Sequence, residues 1–197
     1  MSTGADTLAP RIAATAGELE RELAWLEQVL QARISLHFGQ ASDPQVLHTI
    51  APPALAADPA AQGDHAALVR EAGLGTDERL VLALALAPHL RPQLLDLLCV
   101  RNANLDRSFS EFGGCKGRAH AGFLPTAETA AFLLAGESLA RRFAAQRLLD
   151  DDAPLRRHGL LLLQHEAPGE PWLSAALQAS RAAVAGLRTG QKGQAEH

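Results

Sequence analysis

At 197 residues and 20.8 kDa the chain is long enough for one well-buried domain or two very small ones, and 47% hydrophobic with 20% charged residues is a globular balance. A net charge of -4 gives no electrostatic basis for binding nucleic acid or an anionic membrane surface. Aromatic residues are 4% and Tyr is absent, so Leu and Ala must build the core, a composition that suits closely packed helices.

The first stretch, residues 1–15, is small and polar and reads as a flexible N-terminus. From Gly17 the pattern turns helical: Leu19, Leu23, Leu26, Leu30 and Ile34 recur at spacings of three and four, with Glu18, Glu20, Arg21, Glu22 and Glu27 on other faces. Gly39 and Asp43-Pro44 stop this helix. Four prolines between Pro44 and Pro59 mark a surface connector. Asp64 can cap a short helix ending at Gly73, and Thr76 can cap the next, with Asp77 and Glu78 in its first turn. That helix, DERLVLALALAPHL, is apolar on nearly every side and belongs at the centre of the core. Pro92 opens a further helix.

A glycine-rich loop, EFGGCKGRAHAGFLP, follows. Thr126 then caps AETAAFLLAG, which Gly136 closes, and ESLARRFAAQRLL forms an amphipathic helix ending in the acidic turn DDDAP. HGLLLLQH reads as a strand or a helical turn, SAALQASRAAVAGL as a last helix, and 191–197 as a polar tail. The fold expected is mainly α: a single compact helical domain over 16–190, with a small two-stranded β ribbon near 158–173.

The glycine loop draws attention as a phosphate cradle, but a P-loop needs G-x-x-x-x-G-K-[ST] between a strand and a helix. Here Lys116 precedes Gly117, no Ser or Thr follows a Gly-Lys pair, and the loop follows a helix. Cys115 beside Lys116, with His120 five residues on, forms a candidate nucleophile–base pair, yet no third orienting group is identifiable. The eight histidines show no helix-pair or H-E-x-x-H spacing, Cys99 and Cys115 lack C-x-x-C spacing, and Asp150 to Asp152 lack the calcium-loop alternation. No metal site is therefore expected, and the acidic run reads as a solvated turn. Arg141-Arg142 and Arg156-Arg157 are too few for a nucleic-acid patch in a net acidic chain. Trp25, flanked by helix-period leucines, reads as a core anchor.

What remains is a loop with special backbone needs. Gly113, Gly114, Gly117 and Gly122 permit positive φ or close backbone approach, and Phe109, Phe112 and Phe123 can pin the loop to the helices. Arg107, Glu111 and Arg118 can add charge-assisted hydrogen bonds. The loop is either an internal brace or an ordered docking surface, and one arrangement can serve both.

The segment RSFSEFGGCKGRAHAGFLPTAETAAFLLAG resembles a stretch, RxFxEFGGxxGxxHxGFLPTxETxxFxLAG, in the N-terminal helical region of AAA+ ATPases encoded with phage-tail-like extracellular contractile injection systems. The match is carried by Arg107, Phe109, Glu111, Phe112, Gly113, Gly114, Gly117, His120, Gly122, Phe123, Leu124, Pro125, Thr126, Glu128, Thr129, Phe132, Leu134, Ala135 and Gly136, and the likeness extends over roughly residues 15–190. It implies a non-catalytic N-terminal interaction or regulatory domain that docks substrate or injection-particle components, or supports the ATPase ring. The docking or bracing residues would be Arg107, Phe109, Glu111, Phe112, Gly113, Gly114, Gly117, His120, Gly122, Phe123, Pro125 and Thr126. ATP and Mg belong to the parent ATPase, a homo-oligomeric ring. No Walker A or Walker B segment occurs in these 197 residues, so hydrolysis is not assigned to them. The expected partners are proteins, particle components or the cognate AAA+ module, with no nucleic acid and no membrane. MSTGADTLAP lacks the basic and apolar regions of a secretory signal, so a cytoplasmic location is expected. The alternative reading is a small enzyme using Cys115 and His120.

Overall fold

The computed structural model describes residues 3–58, 61–165 and 168–189, with side chains from Leu8 onward. A long helix, α1 (Thr3–His37), runs along one side. Periodicity placed its start near Gly17, but the helix is already formed at Thr3 and carries Pro10 within it. Leu23, Trp25, Leu26, Val29 and Leu30 enter the core, so Trp25 is the anchor its neighbours implied.

A short α2 (Val46–Thr49) and an irregular proline-rich strap follow, held down by three side chains. Trp25 Nε1 donates to the Ile50 carbonyl at 3.3 Å, Arg79 Nη2 to that of Pro53 at 2.7 Å, and Arg70 to that of Ala56. Helices α3 (Asp64–Glu71) and α4 (Thr76–Leu90) come next. Every residue of α4 from Leu80 to Ala87 is buried, as its unbroken apolar character requires. Pro92–Leu98 forms a 3-10 helix, tighter than the α-helix its proline announced. Among the described residues no single helix is long and apolar enough to cross a membrane. Only α4 and the 3-10 helix pass that test as a pair, and they are bent by 114°.

Two caps differ from the sequence reading. Gly63 and Gly75, not Asp64 and Thr76, stand at the N-caps. For α3 the capping groups come from α1: Glu18 accepts from the Gly63 and Ala66 amides at 2.8 and 3.0 Å, and Thr15 Oγ1 accepts from the Asp64 amide at 2.8 Å. Asp64 instead forms an ion pair with Arg11. Arg11, Thr15, Glu18 and Glu22, spaced four, three and four, thus form a polar seam along α1. Glu22 continues it by pairing with Arg79 of α4, and both side chains are almost fully buried. Glu18 and Glu22 lie off the leucine stripe, on other faces of α1, and are nevertheless buried. They are buried because helices from elsewhere in the chain supply their partners.

His65, on α3, is buried beside this seam, and its Nδ1 has no hydrogen-bond partner. Burial first, then the charges of Arg79 and Arg21, lower its pKa from 6.5 to about 4. The folded state therefore favours neutral imidazole, while the unfolded chain takes up a proton near pH 6.5. Stability present above pH 6.5 is lost as pH falls from 6.5 toward 4, by up to about 3 kcal/mol. Glu22 acts in the opposite sense: burial raises its pKa, which works against stability as pH rises past its ordinary value of 4.5. Urea unfolding across this range should show the His65 loss, and His65→Leu should flatten the profile above about pH 5. An unchanged slope in that variant would rule His65 out as its source.

A small ribbon, β1 (Arg101–Asn102) with β2 (Arg107–Ser108), leads into the glycine loop. Helices α5 (Ala127–Ala135) and α6 (Leu139–Arg147) follow, joined by a three-residue turn, and then the single turn α7 (Pro154–Arg157). Strand β3 (Leu161–Gln164) pairs antiparallel with β4 (Ala176–Ala179), Leu161 opposite Ala179 and Gln164 opposite Ala176. The expected ribbon exists, but its second strand lies beyond residue 173, inside the stretch assigned to the last helix. That helix, α8, spans only Arg181–Thr189. The architecture is mainly α with two small antiparallel ribbons. The 191–197 tail lies outside the described residues.

Candidate functional site

The glycine loop is stitched to the start of α5. A 3-10 turn at Ser110–Phe112 ends in Gly113 and Gly114, with φ of 63° and 87°. A Cβ on Gly113 would stand 2.4 Å from Thr126 Oγ1, and one on Gly114 2.4 Å from the Phe123 ring, so neither position admits a side chain. Gly117 and Gly122 do not adopt positive φ; they leave room for His120, whose Cβ or Nε2 a side chain at either position would meet at 2.9 Å. Thr126 Oγ1 accepts from the Gly114 amide at 3.1 Å. Thr129 Oγ1 accepts from the Thr126 amide at 3.0 Å and donates to the Phe112 carbonyl at 2.9 Å. Thr126 is thus the N-cap its sequence position indicated.

Phe112, 1% exposed, packs on Phe132 at 4.8 Å and on His37 and Phe109 at 5.1 Å between centroids. His37 Nε2 also stands 3.4 Å from Glu111 Oε1, tying the end of α1 to the loop. Phe109 and Phe123 are half-buried against the core. Arg107 and Arg118 are exposed, and Glu111 pairs with His37 rather than with either arginine. Pro125 and Thr126 are buried. The loop's phenylalanines, glycines and threonines therefore brace α5, while its exposed charges face outward.

Thr129→Val keeps the volume but leaves the buried Phe112 carbonyl and Thr126 amide without the hydroxyl. It should cost about 1–3 kcal/mol and raise amide exchange in residues 110–115. Exchange confined to wild-type rates there would mean the hydroxyl is dispensable.

Cys115 and His120 both belong to the glycine loop, half-buried. The Cys115 amide donates to the Leu124 carbonyl at 2.9 Å in a one-residue bridge, and His120 Nε2 is buried without a hydrogen-bond partner, so no acid orients the ring through that atom. No group of three metal-ligating side chains occurs among the described residues. Beside the loop an open groove of about 920 Å³ runs to the β3–β4 connection, lined by Ser108, Gly114, Glu128, Arg142, Glu170 and Ser174 among others.

The loop and sheet together fix α5 and α6. The Ala127 amide donates to the Ala175 carbonyl at 2.9 Å and the Leu177 amide to that of Pro125 at 2.8 Å, so the segment before α5 lies alongside β4. Gly136, with φ of 55°, turns the chain into α6, and Ser138 is the N-cap. Arg142 then lashes α6 to α5 through both Glu128 carboxylate oxygens, at 2.7 and 2.8 Å.

Only Ala145 of α6 is fully buried, with Leu149 beyond its end. The opposite face carries Leu139, Ala140, Phe143, Ala144 and Arg147. Leu139 is 69% and Phe143 63% exposed, the two most exposed large apolar side chains among the described residues. The helix is amphipathic, as its pattern indicates, but the i, i+4 pair Leu139 and Phe143 does not face the core. The true inward positions are Ala145 and Leu149.

After α4, the 3-10 helix and the β1–β2 ribbon come a strand-like segment at 124–126, α5, a tight turn, α6, the single turn α7, β3, a connecting loop and β4, an order that contains a helix–turn–helix followed by a hairpin wing. A family model described as "Winged helix domain, variant" matches residues 9–187. No curated protein and no solved structure matches the chain. The match spans nearly the whole chain and agrees with its element order, and the chain belongs to the variant winged helix domain family.

Proposed function

We propose that this winged helix domain is a non-catalytic protein-docking module, and that its contact surface is the outward face of α6. The observation that carries the reading is the chemistry of that face. A helix–turn–helix that reads DNA presents polar and basic side chains from the N-terminal part of its second helix to base edges and phosphates. Here the exposed positions are Leu139, Ala140, Arg141, Phe143 and Ala144, a single arginine among apolar residues, and Arg142 is already paired with Glu128. Exposed Leu and Phe one turn apart are the anchors of a protein interface. The net charge of -4 supports the same choice.

The parent we infer is an AAA+ ATPase of a contractile injection system. The support for it is the likeness of residues 107–136, the segment that builds the glycine loop, α5 and the turn into α6. In that setting the module recognises an injection-particle component or the adjoining ATPase module, in the cytoplasm, and needs no cofactor of its own.

The test offers the immobilised domain individual particle components and, separately, duplex DNA. At least one protein component should be retained and DNA should not, and Phe143→Glu should abolish retention with an unchanged circular dichroism spectrum. Retention indifferent to Phe143, or saturable DNA binding, would overturn the assignment.

A further inference from the structure

The outward face of α6 matches a second copy of itself. Leu139, Ala140, Phe143, Ala144 and Arg147 share one exposed side of the helix, and Glu137 is exposed beside it in the turn that leads in. Neither Glu137 nor Arg147 makes an ion pair among the described residues. Because α6 packs chiefly on α5, this side is open to another molecule along its whole length.

Charge decides how a second copy can lie on it. In a parallel pair Arg147 meets Arg147 of the copy and Glu137 meets Glu137, so both contacts repel. In an antiparallel pair the levels invert about residue 142. Ala140 then lies opposite Ala144 of the copy, and these small side chains let the axes approach while Phe143 reaches the strip formed by Leu139 and Phe143 of the copy. Glu137 comes level with Arg147 of the copy, and the two-fold axis makes that attraction twice. The face is therefore complementary to itself in one orientation only.

We infer that α6 pairs antiparallel with α6 of a second copy of this chain, through Leu139, Ala140, Phe143 and Ala144, with Glu137 of each copy against Arg147 of the other. The inference rests on α6 being the docking face and adds what covers that face when no particle component does, since docking and self-pairing exclude one another. A nine-residue helix offers well under the roughly 800 Å² per partner of a stable interface, so the pair is weak, with a dissociation constant on the order of 100 µM. At micromolar concentration the face is open to a partner, and at high local concentration the copies cover it.

The test is sedimentation equilibrium of the domain from about 10 µM to about 1 mM, with amide resonances followed by NMR over the same dilution. Wild type should pass from monomer to dimer, and the concentration-dependent shifts should centre on Ser138 to Arg147. Phe143→Glu should stay monomeric. Glu137→Arg and Arg147→Glu should each weaken pairing about fivefold or more at low salt, and the two together should restore it, because the charges are exchanged rather than lost. All three positions are exposed, so the fold is unaffected. A wild type still monomeric at the highest concentration overturns the pairing, and docking that needs Phe143 then leaves the face to a particle component alone. Shifts centred elsewhere, a dimer that survives Phe143→Glu, or a double variant no better than the single ones overturns it as well. A dimer with the stated behaviour, beside particle components that ignore Phe143, upholds the pairing and removes the docking role.

Discussion

Glu22→Gln should lower stability by about 3–5 kcal/mol, because it leaves the Arg79 guanidinium buried without its carboxylate. For a chain of this length that corresponds to a fall in Tm of roughly 10 °C, measurable by thermal or urea unfolding. Arg79 would keep the Pro53 carbonyl and its position over the Trp25 ring, 5.8 Å from the centroid, but neither neutralises it. The pair itself contributes much less than its disruption costs. Burial raises the Glu22 pKa more strongly than the hydrogen bond and charge of Arg79 lower it, which is the sign of a desolvation cost only partly recovered. Combining Glu22→Gln with Arg79→Met should therefore restore a large part of the loss. A Glu22→Gln change within about 1 kcal/mol of wild type would mean that Arg79 reaches water or another acceptor.

Phe143→Glu should weaken docking by about 2–4 kcal/mol, roughly 30- to 1,000-fold, with no loss of stability. The side chain is 63% exposed, so its removal takes nothing from the core, and an acid there also stands among apolar partner groups. Phe112→Ala makes the contrast: that ring is the fully buried centre of the aromatic cluster, and its truncation acts on folding before it acts on any partner. A binding defect in a loop variant is informative only when the spectrum and Tm are unchanged.

Local rules reached the elements whose partners are local. An apolar run with no polar face had to be the central helix, as Leu80 to Ala87 proved. Thr126 and Gly136 announced both ends of α5, since capping and positive φ depend on a few neighbouring residues. Where the partner lay far along the chain, those rules misled. Glu18 and Glu22 look like solvent-facing residues until α3 and α4 bring the Gly63 and Ala66 amides and Arg79 to them. Ala176 to Ala179 are helix formers by propensity, yet β3 on one side and the 124–126 segment on the other supply hydrogen bonds that outweigh it.

The same division runs through the site. The glycine loop was conspicuous because glycine at Gly113 and Gly114 answers a steric demand visible in composition. Its bracing of α5 follows from residues close in sequence. The face of α6 was hidden because Leu139 and Phe143 show the spacing of a core stripe, and only the burial of Ala145 and Leu149 reveals which side faces in.

Two surfaces thus compete for the docking role, the exposed parts of the glycine loop and the outward face of α6. Hydrogen–deuterium exchange of the domain, free and bound to a retained particle component, separates them directly. The account predicts slowed exchange across Ser138 to Arg147, with residues 107–123 unchanged. Protection confined to the glycine loop, with α6 exchanging as in the free protein, would contradict it.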